Sequence, residues 1–151
     1  MTQKTVLLID DEQGFLEALA DALKFEGHNV LTASSGEDAL HVLANNHVDL
    51  ATVDLMMPPG KSLETSTSSH ETGLYLCEFI RKTYPSIQVF SLSVVSDQVI
   101  IRKVESLGVR FLRKGETPLR TVLNMIRSKL TGTAYSTKGR QDTPGLKGGR
   151  D

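Results

Sequence analysis

The chain has 151 residues, of which 39% are hydrophobic and 23% charged, with a formal net charge of −1. This length suits one domain, and the ordinary apolar content excludes a wholly disordered chain. The balanced charge gives no general attraction to nucleic acid or anionic membranes, and no apolar run approaches the roughly 20 residues of a membrane span. We therefore expect a soluble cytoplasmic protein, and its single cysteine, Cys77, cannot form an internal disulfide.

Short apolar runs alternate along the chain with segments in which apolar residues recur at helical spacing. The runs predict five strands, at residues 5–10, 29–33, 50–55, 87–93 and 109–113. Each is followed by a predicted helix, and the starts lie near Phe15, Ser34 or Ser35, Gly73, Asp97 and Thr117-Pro118. Such alternation is typical of an α/β protein in which helices cover both faces of a parallel sheet.

Some details of these helices also follow from the pattern. Gly27 and Gly108 are expected to end the first and fourth helices. The residues expected to share the buried face of the second helix are Ala39, Leu40, Leu43 and Ala44. Cys77 should be buried in the third helix. The four histidines, which show no metal-ligand spacing, are expected at the surface or in loops: His28, His41, His47 and His70.

The last 21 residues differ in composition from the rest. Residues 131–151 contain five of the twelve glycines and four basic residues against two acidic ones. Such a segment buries too little apolar surface to offset the entropy of ordering it. We therefore expect one domain at residues 1–130, followed by a disordered glycine-rich tail.

Polar and charged residues stand where the predicted strands end. Asp10-Asp11 and Glu12 follow the first strand, Asp54 the third, Ser93 ends the fourth, and Lys114 follows the fifth. The carboxyl ends of parallel strands share one edge of the sheet, which is where such folds place their sites. Clustered carboxylates repel one another unless a hard cation such as Mg²⁺ is bound. A lysine and a hydroxyl nearby would bind phosphoryl oxygens.

Each of these residues has a plainer interpretation when taken alone. An acidic pair at a strand end can cap a helix, and Ser93 can bond to its own backbone. Lys114 alone can be an ordinary surface lysine. The ordered set, with a strand–helix unit between its members, is much more specific than any single member.

In that order, Asp10-Asp11-Glu12, Asp54-Leu55-Met56-Met57-Pro58, Ser93 and Phe111-Leu112-Arg113-Lys114 resemble the signature of the receiver domain of two-component response regulators. The resemblance extends over roughly residues 4–130. It implies a flavodoxin-like (CheY-like) doubly wound fold, with five parallel strands in the order 2-1-3-4-5 and five helices. It also implies a phosphorelay switch rather than an enzyme acting on an external substrate.

The resemblance also implies residue roles. Asp54 would accept the phosphoryl group from a sensor histidine kinase or a phosphotransfer protein. Asp10 and Asp11 would bind Mg²⁺ together with Asp54 and the main-chain carbonyl of Met56. Ser93 and Lys114 would bind the phosphoryl oxygens.

The downstream half of the switch is likewise implied by the resemblance. Phe111 occupies the aromatic switch position. The face formed by the fourth helix, fifth strand and fifth helix, near Arg102, Lys103 and Arg110, would contact an unknown downstream protein or a second copy of the chain. No direct contact with nucleic acid or membrane is expected.

The sequence departs from the family pattern at three places. Ser93 replaces the commoner threonine but keeps the hydroxyl. Gly115 follows Lys114 where the family usually has proline after a cis peptide, so the lysine loop is expected to be trans, more mobile or strained. Residues 59–72 form an insertion after the third strand, and seven of the twelve residues 61–72 are Ser or Thr. This insertion is either a tolerated surface loop or a lid or partner-recognition loop beside Asp54.

Other functions remain open at this point. The chain could be a degenerate receiver used only for binding, or a Mg²⁺-dependent phosphohydrolase on a similar sheet. Pro59-Gly60-Lys61-Ser62 superficially resembles a phosphate-binding P-loop, but Leu55 stands where that motif needs glycine. The receiver itself could act alone or be part of a longer regulator.

Overall fold

A computed structural model describes residues 3–57, 60 and 71–131 of the chain. Five strands alternate with five helices in the order β1 (Thr5–Ile9), α1 (Gln13–Phe25), β2 (Asn29–Ala33), α2 (Gly36–Asn45), β3 (Leu50–Val53), α3 (Thr72–Thr83), β4 (Gln88–Ser93), α4 (Gln98–Ser106), β5 (Arg110–Arg113) and α5 (Leu119–Thr131). All five predicted strands are present, and their bounds differ by at most two residues from those predicted. Residues 132–151 of the expected tail and residues 59 and 61–70 of the insertion lie outside the described residues, whereas Thr131 belongs to α5.

The five strands form one parallel sheet in the order β2-β1-β3-β4-β5, which confirms the predicted order. Successive residues of β1 face opposite layers of the core. Leu7 and Ile9 pack with α2, α3 and α4, whereas Val6 and Leu8 pack with α1 and α5. The strands are therefore apolar on both faces, as expected of a sheet covered by helices on both sides. None of the helices in the described part of the chain is long and apolar enough to cross a bilayer.

The helix ends follow local capping chemistry, with two small corrections. Of the two candidate serines, Ser35 caps α2 by accepting a hydrogen bond from the Asp38 N–H, and Asp97 caps α4 in the same way. The Val122 N–H bonds to the Pro118 carbonyl, so α5 begins one residue later than the Thr117-Pro118 signal predicted. Ala44, predicted on the buried face of α2, is exposed because the face is centred on Ala39 and Leu43.

His28 lies in a loop, as expected, but it is not at the surface. Its side chain is buried, and Nδ1 lies 3.3 Å from the Lys4 backbone nitrogen, from which it accepts a hydrogen bond. His28 lies between the end of α1 and the start of β2. His41 and His47 are exposed as expected, and His70 lies outside the described residues.

Gly73 lets α3 begin directly against the backbone at the end of β3. A Cβ atom added at Gly73 would lie 2.3 Å from Leu55 Cα and 2.5 Å from the carbonyl oxygen of Asp54. Real Cβ atoms do not approach backbone atoms so closely, so only glycine fits without a shift. The position of Asp54 therefore depends on a close contact with the first turn of α3.

We expect Gly73→Ala to destabilise the fold by about 1–3 kcal/mol, because α3 or the Asp54–Leu55 backbone must move. Gly14→Ala is the matched control, since a Cβ there meets nothing within 4 Å and alanine favours a helix. Urea unfolding measures both. Equal effects of the two variants would contradict the close-contact explanation.

At the opposite edge of the sheet, Asp49 fixes the start of β1. Its Oδ2 accepts a 2.8 Å hydrogen bond from the Thr5 N–H, and its Oδ1 lies 3.0 Å from His47 Nε2. Burial acts to raise the pKa of Asp49, but the hydrogen bonds from Thr5 and His47 outweigh it and lower the pKa. The ionised carboxylate therefore stabilises the folded state.

Because the pKa is lowered on folding, this contribution is present above the ordinary aspartate pKa of about 4 and is lost as pH falls through the folded-state value. We expect Asp49→Asn to reduce the free energy of unfolding by about 1 kcal/mol at pH 7, and by progressively less below pH 4. Urea titrations across this pH range test the expectation. His47→Ala, which leaves the Thr5 bond intact, should cost less; a pH-independent effect of Asp49→Asn would contradict the explanation.

Candidate functional site

Strand register brings two aspartates together at the carboxyl edge of the sheet. Ile9 of β1 pairs with Val53 of β3, so Asp10 and Asp54 follow at the same level of adjacent strands. The Asp54 N–H also donates to the Ile9 carbonyl at 2.9 Å. Both side chains are buried, with 3% of Asp10 and 5% of Asp54 exposed. Asp11 is exposed beside them, and one carboxylate oxygen from each of the three aspartates lies within 4.8 Å of the others.

Backbone hydrogen bonds orient the two buried carboxylates. Asp10 Oδ1 accepts from the Glu12 N–H at 2.8 Å, and Asp54 Oδ1 accepts from the Met56 N–H at 3.0 Å. Each Oδ2 is thereby directed to a second partner, Lys114. The backbone of the loops after β1 and β3 thus orients both aspartates through Oδ1.

Lys114 reaches into this acidic pocket from β5. Its Nζ lies 2.7 Å from Asp10 Oδ2, 3.4 Å from Asp54 Oδ2 and 3.2 Å from Glu12 Oε1. Only 9% of the lysine side chain is exposed. Its backbone N–H donates to the Ser93 carbonyl at 2.9 Å, so the main chain also holds the lysine in register with β4.

Gly115 provides the turn that follows this lysine. The described residues contain no cis peptide, so the Lys114–Gly115 bond is trans, and Gly115 has a φ of +90°. Proline, the usual family residue, is restricted to a φ of about −65° and could not adopt this conformation. The glycine therefore supports a different turn that still delivers Lys114 to the pocket.

The pocket holds more negative than positive charge. Burial and, to a smaller extent, the neighbouring Asp54 raise the pKa of Asp10, whereas Lys114 and the Glu12 N–H lower it; the net result is a pKa of about 6. Burial alone would lower the pKa of Lys114, but its bonds to Asp10 and the field of Asp54 outweigh this effect and raise it. The ammonium is thus firmly charged, yet one lysine faces several carboxylates. This charge imbalance favours a divalent cation.

The two predicted switch residues occupy neighbouring strands. Ser93 is the last residue of β4 and is fully buried, and its Oγ accepts a hydrogen bond from the Val95 N–H at 3.2 Å. That bond does not use the hydroxyl proton. Phe111 is half-buried on β5 and lies opposite Ser91 of β4.

The remaining predicted residues lie away from the pocket or are inert. Arg102, Lys103 and Arg110 are exposed on α4 and β5. Cys77 is buried in α3, and burial raises the pKa of its thiol to about 12, which excludes a reactive thiolate. Pro59, Lys61 and Ser62 of the P-loop-like string lie outside the described residues.

Arg113 lies within the Phe111–Lys114 motif, but the sequence did not indicate what its side chain contacts. Its Nη1 donates to the Val95 carbonyl at 2.9 Å, and its guanidinium lies 5.5 Å from the centre of the Phe111 ring. The only sequence signal is its position before Lys114, since neighbouring strand residues point to opposite faces.

The chain resembles known proteins in sequence as well as in fold. The family model for the response regulator receiver domain matches residues 6–126. Relatives include the "Probable transcriptional regulator ycf27" of Porphyridium aerugineum, 34% identical over 66% of this chain and 38% of the relative. A "Cyclic di-GMP phosphodiesterase" of Thermotoga maritima is 34% identical over 84% of this chain and 30% of the relative. The chain thus spans less than two fifths of the length of these relatives.

Solved structures share the fold at lower sequence identity. A CheY-like receiver domain protein from Methanospirillum hungatei superposes with a TM-score of 0.74 and 22% identity, over 87% of this chain and 97% of that chain. The receiver domain of an HD domain-containing protein from Pseudomonas fluorescens gives a TM-score of 0.73 and 23% identity, over 87% and 98%. With the family match over residues 6–126, the parallel sheet and its acidic edge identify this chain as a member of the response regulator receiver domain family of two-component systems.

Proposed function

We propose that Asp54 accepts a phosphoryl group from a phosphohistidine of a sensor kinase or phosphotransfer protein, and that its phosphorylation changes a partner-binding surface. The observation that carries this proposal is the pocket itself. Asp54 is held by the Met56 N–H on one oxygen, while its other oxygen faces the Lys114 ammonium. The pocket stands at the carboxyl edge of a receiver sheet, and receiver domains interact with such phosphodonors.

In the transfer step an Asp54 carboxylate oxygen attacks phosphorus in line with the leaving imidazole. A P–O bond forms as the P–N bond breaks, and the electron pair of the broken bond returns to the histidine nitrogen. Lys114, buried beside both aspartates, provides positive charge next to the transferred oxygens. Water later cleaves the acyl phosphate and releases inorganic phosphate, which restores the Asp54 carboxylate. The chain thus acts on itself once per cycle rather than turning over an external substrate.

The acidic pocket also fits a magnesium ion. Asp10, Asp11 and Asp54 offer carboxylate oxygens within 4.8 Å of one another, and oxygen is the ligand that Mg²⁺ prefers. We assign these three side chains and the Met56 main-chain carbonyl as its ligands. When bound, the ion would neutralise charge on the carboxylates and on the incoming phosphoryl oxygens.

The proposed output depends on contacts made only after phosphorylation. The Ser93 hydroxyl and the Lys114 ammonium would bind phosphoryl oxygens, and the loop after β4 would follow Ser93. Shifting a population from about 1% to 99% requires roughly 5.5 kcal/mol of differential interaction. Phe111 would then turn inward, which changes the face that carries Arg102, Lys103 and Arg110. That face would contact a downstream protein or a second copy of the chain.

Incubation with acetyl phosphate and Mg²⁺ should add one phosphoryl group, detected as intact mass. Asp54→Asn should abolish the adduct, and chelation of Mg²⁺ with EDTA should prevent it. Because a small donor need not dock, a cognate kinase is unnecessary for this test. Folded wild-type protein that forms no adduct, or an adduct that persists in Asp54→Asn, would contradict the proposed acceptor.

Mg²⁺ alone should stabilise the folded protein, since only the folded pocket gathers the three aspartates. At tenfold excess over its dissociation constant we expect about 1.4 kcal/mol of stabilisation, which raises the thermal midpoint by several degrees. Asp10→Asn should lose most of this response, whereas Asp49→Asn, at the opposite edge of the sheet, should keep it. A similar Mg²⁺ response in all three proteins would place the ion elsewhere.

A further inference from the structure

One arginine links the loop after β4 to the end of β5. Arg113 is the last residue of β5 and is half-buried, and its Nη1 donates to the Val95 carbonyl at 2.9 Å. The same guanidinium lies 5.5 Å from the centre of the Phe111 ring. Its Nε is 3.7 Å from the exposed carboxylate of Glu116, a weaker surface contact. Arg113 thus contacts both the loop and the ring that the proposed switch moves.

Val95 is held through both of its backbone polar groups. The Ser93 Oγ accepts from its N–H at 3.2 Å, and Arg113 donates to its carbonyl. Two residues further on, Asp97 caps α4 by accepting from the Val99 N–H at 2.9 Å. The short segment between Ser93 and α4 is therefore tied to Ser93 at one point and to β5 at another.

Arg113, the last residue of β5, and Lys114, which follows it, contact different parts of the molecule. Lys114 extends into the acidic pocket, whereas Arg113 reaches the loop after β4. Arg113 pairs with Ser93 in the sheet, and the Lys114 N–H bonds to the Ser93 carbonyl. A displacement of Ser93 toward a group on Asp54 would therefore act directly on the bond between Arg113 and Val95.

We propose that Arg113 is a positioning residue, a latch that holds residues 94–97 in the unphosphorylated arrangement and opposes the movement of Ser93 toward phosphorylated Asp54. The inference rests on the proposed function. The Ser93 hydroxyl can donate to a phosphoryl oxygen while still accepting from Val95, so Val95 moves with it. A contact present in only one arrangement shifts the equilibrium toward that arrangement. A bond from a charged donor is sufficient for a shift of about tenfold.

Arg113→Met tests the latch, because methionine keeps an apolar stem over Phe111 but has no donor for Val95. In the unphosphorylated protein, we expect the amides of residues 95–99 to exchange hydrogen about tenfold faster than in the wild type, with β1 amides unchanged. We also expect faster phosphorylation at limiting acetyl phosphate, since less energy opposes the movement of Ser93. Glu116→Gln, which removes only the surface contact of Arg113, should match the wild type in both measurements.

The two measurements separate the latch from the proposed function. Unchanged exchange at residues 95–99 would overturn the latch, and so would slower phosphorylation of Arg113→Met. A general loss of structure would speed exchange throughout the sheet and would not accelerate phosphorylation; Arg113→Leu, which also lacks a donor for Val95, then repeats the test. Absence of an adduct on the wild type would instead overturn the proposed function, while exchange in the unphosphorylated protein still decides whether Arg113 holds the loop.

Discussion

The ammonium group of Lys114 holds together the acidic pocket at the carboxyl edge of the sheet. Asp10 and Asp54 are buried side by side at the ends of adjacent strands, and Lys114 bonds to both. Two buried carboxylates repel each other strongly when no cation lies between them. The lysine relieves this repulsion only in part, because its ammonium also forms an ion pair with Glu12 and a third aspartate, Asp11, lies nearby. The negative charge that remains in the pocket therefore favours binding of a further cation.

The positions of Asp10, Asp54 and Lys114 depend on packing outside the acidic pocket. Apolar residues on both faces of each strand keep the sheet buried between two helical layers, which fixes the register of β1 against β3. Gly73 brings α3 against the backbone of Asp54 and Leu55, so the backbone of Asp54 cannot shift toward the helix. Gly115 supplies the turn with positive φ after Lys114. These two glycines thus help to position the charged side chains of Asp54 and Lys114.

The end of β5 joins the pocket to the surface of the molecule. Arg113, the last residue of β5, contacts the loop before α4 and the ring of Phe111, whereas Lys114, the next residue, extends into the acidic pocket. Ser93 lies between them, bonded through its carbonyl to Lys114 and through its hydroxyl to Val95. A short series of contacts near the strand ends thus connects the carboxylate of Asp54 with the loop that leads into α4.

The amino-acid sequence alone determined the alternation of strands and helices, a cap at Ser34 or Ser35, the cap at Asp97, and the set of residues at the strand ends. These depend on local periodicity and on chemistry between neighbours in the chain. The tertiary structure decided that Lys114 bonds Asp10 more closely than Asp54, that His28 is buried, that Gly73 meets Leu55, and that Arg113 reaches Val95. Each of these contacts depends on how close distant segments come, which strand register and helix packing set and no local pattern encodes.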